Sequence, residues 1–475
     1  MEGWLAAINE FIADYLLIAV LIIAAVYFTI ATRGVQFTLF GEMWRLLIRS
    51  GLKDSDVGKG ELEPTKKPVS SFQAFMVSIA SRVGTGNLAG VATAIAMGGP
   101  GAVFWMWAIA LLGSATAFVE STLAQLYKVR GEGSEFVGGP AYYIMRGIGK
   151  KWWAVTFAIL ITMTFGLAYN SVQANTISMA FENTFSIPPL WTAVGLALLT
   201  SIVIWGGLQS IAKVSSVVVP VMAIGYIILA VVIIGLNIDK LPGVIALMFE
   251  EAFTPSSALG GGIGMAIVMG IKRGLFSNEA GEGSAPNVAA TAVISHPVKQ
   301  GLIQALGVFT DTLLICSCTA LIILLSGVYE LPNHSDGIVM TQEAIDMGIG
   351  RNGPGAIYVS IAIFFFAFTS VVANYYYGET NLLFIKKSRS LIALYRIAVA
   401  AMVWIGSLST LGLVWGLADL TMALMTFCNI AAIAVLGKYA FRCLNDYRRQ
   451  LKEGRDPVYR SSTIPEISDI TTCWD

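Results

Sequence analysis

Ser81-Arg82-Val83-Gly84-Thr85-Gly86-Asn87 and Phe276-Ser277-Asn278-Glu279-Ala280-Gly281-Glu282-Gly283-Ser284 put glycines and small polar groups in the middle of apolar stretches. In hydrocarbon a backbone N–H or C=O without a partner is costly, so an unwound segment persists only where protein, water, an ion or a substrate satisfies it. Either break alone reads equally well as a glycine kink packed against a neighbour. Two of them, five apolar spans apart, point to a transport site where two inverted five-helix repeats meet.

The surrounding sequence identifies the medium. Of 475 residues, 56% are hydrophobic and only 13% charged, with a mean hydropathy of +0.72. A soluble domain carries about 25% charge to solvate its surface. Residues 15–31, 101–119, 154–181, 214–236, 312–329, 354–378 and 397–418 contain no charge at all. A spanning helix needs about 20 mostly apolar residues, whereas barrel strands run to about 10 and alternate in polarity. The chain therefore reads as an all-α integral membrane protein. Eleven spans are expected, at about 13–32, 70–98, 101–127, 152–182, 190–209, 213–236, 258–290, 298–328, 355–384, 389–411 and 413–437. Residues 36–50 read as an amphipathic surface helix and 138–149 as interfacial. This gives one transporter domain over 1–440, with repeats at about 70–236 and 258–437 after one extra N-terminal helix, and a cytoplasmic tail at 441–475.

Charge sets orientation and narrows the partners. Thirty Lys+Arg balance thirty Asp+Glu, so no positive field exists to recruit nucleic acid; the bilayer and small solutes are the expected partners. With the N-terminus outside, twenty-five basic residues fall in cytoplasmic segments and two, Lys240 and Arg351, in external ones. The reading is a multi-pass cell-membrane protein with its C-terminus in the cytoplasm. No cleavable signal peptide is evident, and Cys316, Cys318, Cys428, Cys443 and Cys473 are expected as free thiols.

The two breaks suggest a cargo. Half-helix N-termini offer N–H groups and a positive dipole end to a carboxylate, while unwound carbonyls offer oxygen to a small hard cation. Such a site suits a zwitterion carried with Na⁺.

Four segments resemble the sodium:alanine (alanine or glycine:cation) symporter family: GGPGAVFWMWAIALLG (98–113), RVGTGNLAGVA (82–92), FSNEAGEGSAPN (276–287) and SVQAN (171–175). The resemblance extends from about residue 10 to 440 and implies the leucine-transporter fold and Na⁺-coupled import of alanine or glycine. It implies carboxylate binding by Thr85, Gly86 and Asn87, and a pocket lined by Gln173, Phe276, Ser277 and Asn278. It implies a sodium site from the carbonyls of Ala80 and Val83 with the hydroxyls of Thr369 and Ser370, and leaves open a second at Asn87 and Ser277. One departure bears on selectivity. Many members carry Gly-Trp before the Tyr-Tyr-Gly-Glu of the ninth span; here FAFTSVVANYYYGE places Ala373-Asn374 there. Asn374 is thus a candidate pocket wall, and a larger polar amino acid such as glutamine is the alternative substrate.

Other residues have plainer readings. Arg82 fits a structural ion pair better than substrate contact, and Glu279 and Glu282 fit helix caps. Asp311, deep in its span, suits either a proton relay or pairing with a helix end. The Trp105–Trp107 cluster reads as packing, and His296 and His334 fall in loops. No phosphate loop, HExxH or triad supports an enzyme. A channel is the rival class, since broken helices also line pores, and H⁺ is the rival coupling ion.

Overall fold

The protein is described from a computed structural model that covers residues 2–52, 69–131, 136–205, 207–253, 264–333, 335–350 and 353–474. His334 and the first residues of the 258–290 span lie outside the described residues. Apart from a two-stranded ribbon, β1 (Val129–Arg130) antiparallel to β2 (Phe136–Val137), the architecture is helical.

The chain opens with α1 (Leu5–Ala31), an apolar rod. A turn at Gly34 leads to the surface helix α2 (Phe40–Leu52), which leaves Trp44 and Ile48, one turn apart, exposed. The first expected break is real. Helix α3 (Ser71–Arg82) starts at a capping box in which Ser70 and Gln73 satisfy each other's N–H groups. It stops where Val83 turns extended (φ −78°, ψ 93°), and α4 (Gly86–Gly98) resumes beyond it. Next come α5 (Gly101–Leu126), α6 (Lys151–Phe185), α7 (Pro189–Ile204), α8 (Gly207–Leu236) and α9 (Leu241–Ala252). The second break separates α10 (Met265–Asn278) from the short α11 (Ala285–Ala289). The chain continues with α12 (Pro297–Ser326), α13 (Gly337–Gly348), α14 (Pro354–Ile385), α15 (Arg389–Leu408) and α16 (Leu411–Lys452).

Among the described residues each expected segment overlaps a helix or a broken pair, and seven helices, α1, α5, α6, α12, α14, α15 and α16, are singly long and apolar enough to cross a bilayer. Residues Pro220–Leu236 of α8 and α9 meet that test only together, bent by 104°. The last element differs from expectation. α16 does not end near 437 but runs unbroken to Lys452, through the boundary drawn at 440. The reason is that its C-terminal extension still buries Cys443, Leu444 and Tyr447, because residues 456–474 fold back onto it and onto the start of α12.

α5 is the central post, packed by α10, α12, α1 and α16; α6 packs against α14 and α15. The two breaks lie between these groups. The chain thus positions its least regular backbone where most helices converge.

Candidate transport site

The first break is held from the side. The Thr85 N–H and hydroxyl both donate to Gln173 Oε1, at 3.0 and 2.7 Å, and the Gly84 N–H donates to Asn87 Oδ1 at 2.9 Å. Glycine is required by crowding: a Cβ on Gly84 would lie 2.5 Å from Ser370 Oγ, and one on Gly86 3.0 Å from Ser277 Cα and 3.1 Å from Phe276 Cδ1. The two breaks therefore touch, backbone to backbone.

A buried carboxylate joins them. Asp311 accepts from Asn87 Nδ2 at 2.7 Å, Ser277 Oγ at 2.7 Å and Thr312 Oγ1 at 3.1 Å. Cys316 Sγ lies 3.3 Å from Asn87 Nδ2 and 3.2 Å from Ser277 Oγ. Asp311 and Cys316 are five residues apart, and Phe309–Cys316 of α12 winds as a π-helix. That wider turn puts i and i+5 on one face, a geometry favoured at functional sites. Asn278 reaches this centre only through Thr312: its Nδ2 donates to Thr312 Oγ1 at 3.1 Å and its Oδ1 accepts from the Ala280 N–H at 3.0 Å. Phe276 is clasped between Tyr169 and Trp415, with ring centroids 4.4 and 4.6 Å away.

At the cation position, Ser370 Oγ is 2.8 Å from the Ala80 carbonyl oxygen and 3.4 Å from that of Val83. These three oxygens are of the kind a hard cation takes. Ser370 Oγ is also 3.0 Å from the Phe366 carbonyl oxygen of its own helix, to which the Thr369 hydroxyl donates at 2.9 Å without reaching the first break. Asn374 stands one turn beyond Ser370 and bridges other groups. Its Oδ1 lies 2.8 Å from Ser81 Oγ, whose single proton goes to Glu279, and its Nδ2 donates to Asn170 Oδ1 at 3.1 Å. Both ends of the amide are engaged by protein.

The acidic residues of the second break have specific partners. Glu279 is the left-handed residue that ends α10 (φ 57°), and its carboxylate accepts from Ser81 Oγ at 2.6 Å, across to the first break. Glu282 accepts from Tyr169 OH at 3.0 Å. The N-cap reading of Glu279 thus gives way to a cross-link between breaks. Arg82 is buried and donates Nη1 to Gln304 O at 3.3 Å. Sequence reasoning missed Glu120, which accepts from the N–H groups of Gly281 (3.2 Å) and Gly283 (3.1 Å) and from Asn429 Nδ2 (2.8 Å). The signal was present: Glu120 is the one charge in a helix whose preceding nineteen residues carry none. Tyr169, Trp415 and Ser81 offered no such cue.

Comparison with known proteins agrees with this geometry. The sodium:alanine symporter family matches residues 1–461. The amino-acid carrier protein AlsT of Bacillus subtilis is 50% identical, over 98% of this chain and 96% of its own. The probable sodium/glutamine symporter GlnT of the same organism is 47% identical, over 100% and 96%. In fold, the chain is similar to MhsT, solved in complex with L-phenylalanine (TM-score 0.55, 14% identity, covering 86% of this chain and 93% of that one). The two breaks, the repeats they open and these likenesses agree: the chain is a membrane carrier of the leucine-transporter fold, and it belongs to the sodium:alanine symporter family.

Proposed function

We propose that the protein imports a small neutral amino acid, alanine or glycine, by symport with Na⁺. The observation that carries this reading is the contact of the two breaks at Gly86, Phe276 and Ser277, beside oxygens suited to a cation. In this reading the N-terminal end of α4 offers the Gly86 and Asn87 N–H groups to the substrate carboxylate, and Gln173 holds Thr85 in place. Na⁺ between the Ala80 and Val83 carbonyls and Ser370 stiffens the unwound backbone and so prepares the carboxylate site. Coupling is then the difference in substrate affinity between the ordered and loose break. A second cation, Na⁺ or H⁺, resides at Asp311 with Asn87 and Ser277. The span count of eleven, the N-terminus outside and the C-terminus in the cytoplasm complete the proposal, supported by the basic-residue asymmetry.

Tight packing at Gly86 supports a small substrate, and the engaged amide of Asn374 speaks against a hydrogen bond from it to a longer side chain. Glutamine is the second reading, favoured by the likeness to GlnT. Liposome uptake across an amino-acid panel, with and without a Na⁺ gradient, tests both. Alanine and glycine are expected to accumulate only with the gradient. Preferential accumulation of glutamine, or full uptake driven by a pH gradient in Na⁺-free buffer, would overturn the proposal.

A further inference from the structure

A cavity lies away from the transport site, at the basic ends of the helices. It encloses about 970 Å³ between the end of α7, the junction of α14 with α15, and β1. Among the described residues its charged lining is Arg130, Lys387, Arg389 and Arg396 against one carboxylate, Glu379. Glu379 is already paired with Arg396, at 3.1 Å. Arg130, Lys387 and Arg389 are exposed. The remainder of the wall is apolar: Leu383, Phe384 and Ile392 line it with Trp205, which is 60% exposed and stacks on Arg396, 5.3 Å from guanidinium carbon to ring centroid.

Position makes this more than a topogenic charge cluster. α14 ends at Ile385, α15 begins at Arg389 and α7 ends at Ile204, so three apolar helices terminate around one cavity. Its basic groups lie at the helix ends, and its apolar groups sit a turn inside them. Interfacial tryptophan marks the same depth. A molecule filling the cavity needs a negative head and an apolar body attached to it. A soluble phosphate supplies only the first.

We infer that this cavity binds the headgroup and proximal acyl chain of an anionic phospholipid, through its phosphate, on Arg130, Lys387 and Arg389. Basic pockets between transmembrane helices recognise anionic lipids in this way. The lipid would bridge α14, which carries Ser370, to α15 and the ribbon. The inference needs only that the chain spans a membrane, so it stands or falls separately from the choice of substrate and ion.

The test uses the full chain, delipidated in detergent and mixed with equal amounts of phosphatidylglycerol and phosphatidylcholine of matched acyl chains, with bound lipid read by native mass spectrometry. Wild type should retain phosphatidylglycerol at least tenfold over phosphatidylcholine. Arg130→Gln/Lys387→Gln/Arg389→Gln should bring the ratio below about twofold. A single added carboxylate, Ala393→Asp on the exposed rim, should reduce it as well and guards against misfolding of the triple variant. Millimolar inorganic phosphate should leave retention unchanged. Equal retention of the two lipids by wild type, or an undiminished preference in the folded triple variant, overturns the inference. Displacement by inorganic phosphate also overturns it, by showing a site for soluble anions.

Discussion

Ser370 and Thr369 are adjacent in sequence, and the structure separates their roles. Both hydroxyls lie within reach of the Phe366 carbonyl in their own helix, but successive helical residues point about 100° apart, and only the Ser370 hydroxyl also reaches the Ala80 and Val83 carbonyls. Ser370→Ala should raise the half-saturating Na⁺ concentration of uptake at least tenfold, the loss of about 1.4 kcal/mol of ion binding. Thr369→Ala should change it less than threefold. Equal effects, read from Na⁺ titrations of liposome uptake, would place the cation elsewhere. Asp311→Asn keeps the shape of the hub but removes its charge. It should abolish the dependence of uptake on one ion; Na⁺ and pH gradients applied separately will show which. Unchanged coupling to both would remove Asp311 from the transport cycle. At this scale the sequence was partly legible. The Gly84–Asn87 break follows from backbone chemistry, whereas the resemblance implies Gln173 as pocket lining and not as the acceptor that holds Thr85. The bridging position of Asn374 does not, because a gap in a family pattern says which side chain is absent and not what fills the space.

Helices with π-wound segments explain most of what the sequence concealed. Gly86–Gly90, Thr164–Tyr169 and Phe309–Cys316 are all wound this way, and each contributes to the site. An inserted residue shifts the register of everything beyond it, and no residue type announces it. That is why the intramembrane position of Asp311 was legible and its partnership with Asn87, Ser277 and Cys316 was not. The breaks themselves were legible because a run of glycine and small polar residues gives a membrane-spanning helix neither apolar surface nor stiffness. Their support is one element away, in α5. Glu120→Gln replaces one carboxylate oxygen with an amide nitrogen that cannot accept from the Gly281 or Gly283 N–H. One buried donor is then left without a partner, at about 1–3 kcal/mol. A lower melting temperature in detergent is expected, with little change for Glu120→Asp if the shorter chain still reaches. Thermal stability equal to wild type in Glu120→Gln would show that water replaces the cap.

Across the whole molecule, the tail joins the helical bundle through His296. Its Nδ1 accepts the Val298 N–H at 3.2 Å, so the neutral ring carries its proton on Nε2, 3.4 Å from Asp446 Oδ2. The ring packs against Tyr447 and Tyr459. Burial holds the His296 pKa below its ordinary value, against the opposing pull of Asp446, with nearby Lys299 adding to the depression. The sign follows from linkage. Above about pH 6.5 the docked and released rings are both neutral and docking is at full strength. Below it the released ring takes a proton that the docked one refuses, so docking weakens as pH falls through the depressed value. A spin label on Asp469→Cys should become more mobile on acidification from pH 7.5 to 5.5, and His296→Gln should flatten that response. A pH-independent signal in wild type would exclude the histidine as the cause.

α16 extends the same logic through the membrane. It runs forty-two residues without a proline. Near one end Trp415 covers Phe276 and Asp419 takes the Arg273 guanidinium at 2.5 Å; near the other Asp446 meets His296 and Gln450 holds the tail at Val458. Between them Asn429 is pinned by Glu120 and by the Gly281 carbonyl. Trp415 and Asp446 are thirty-one residues apart, about 46 Å at helical rise. A stiff beam held near its middle is a seesaw. A tilt about Asn429 would carry Trp415 and Asp446 in opposite directions, so a displacement at one face of the bundle would be felt at the other.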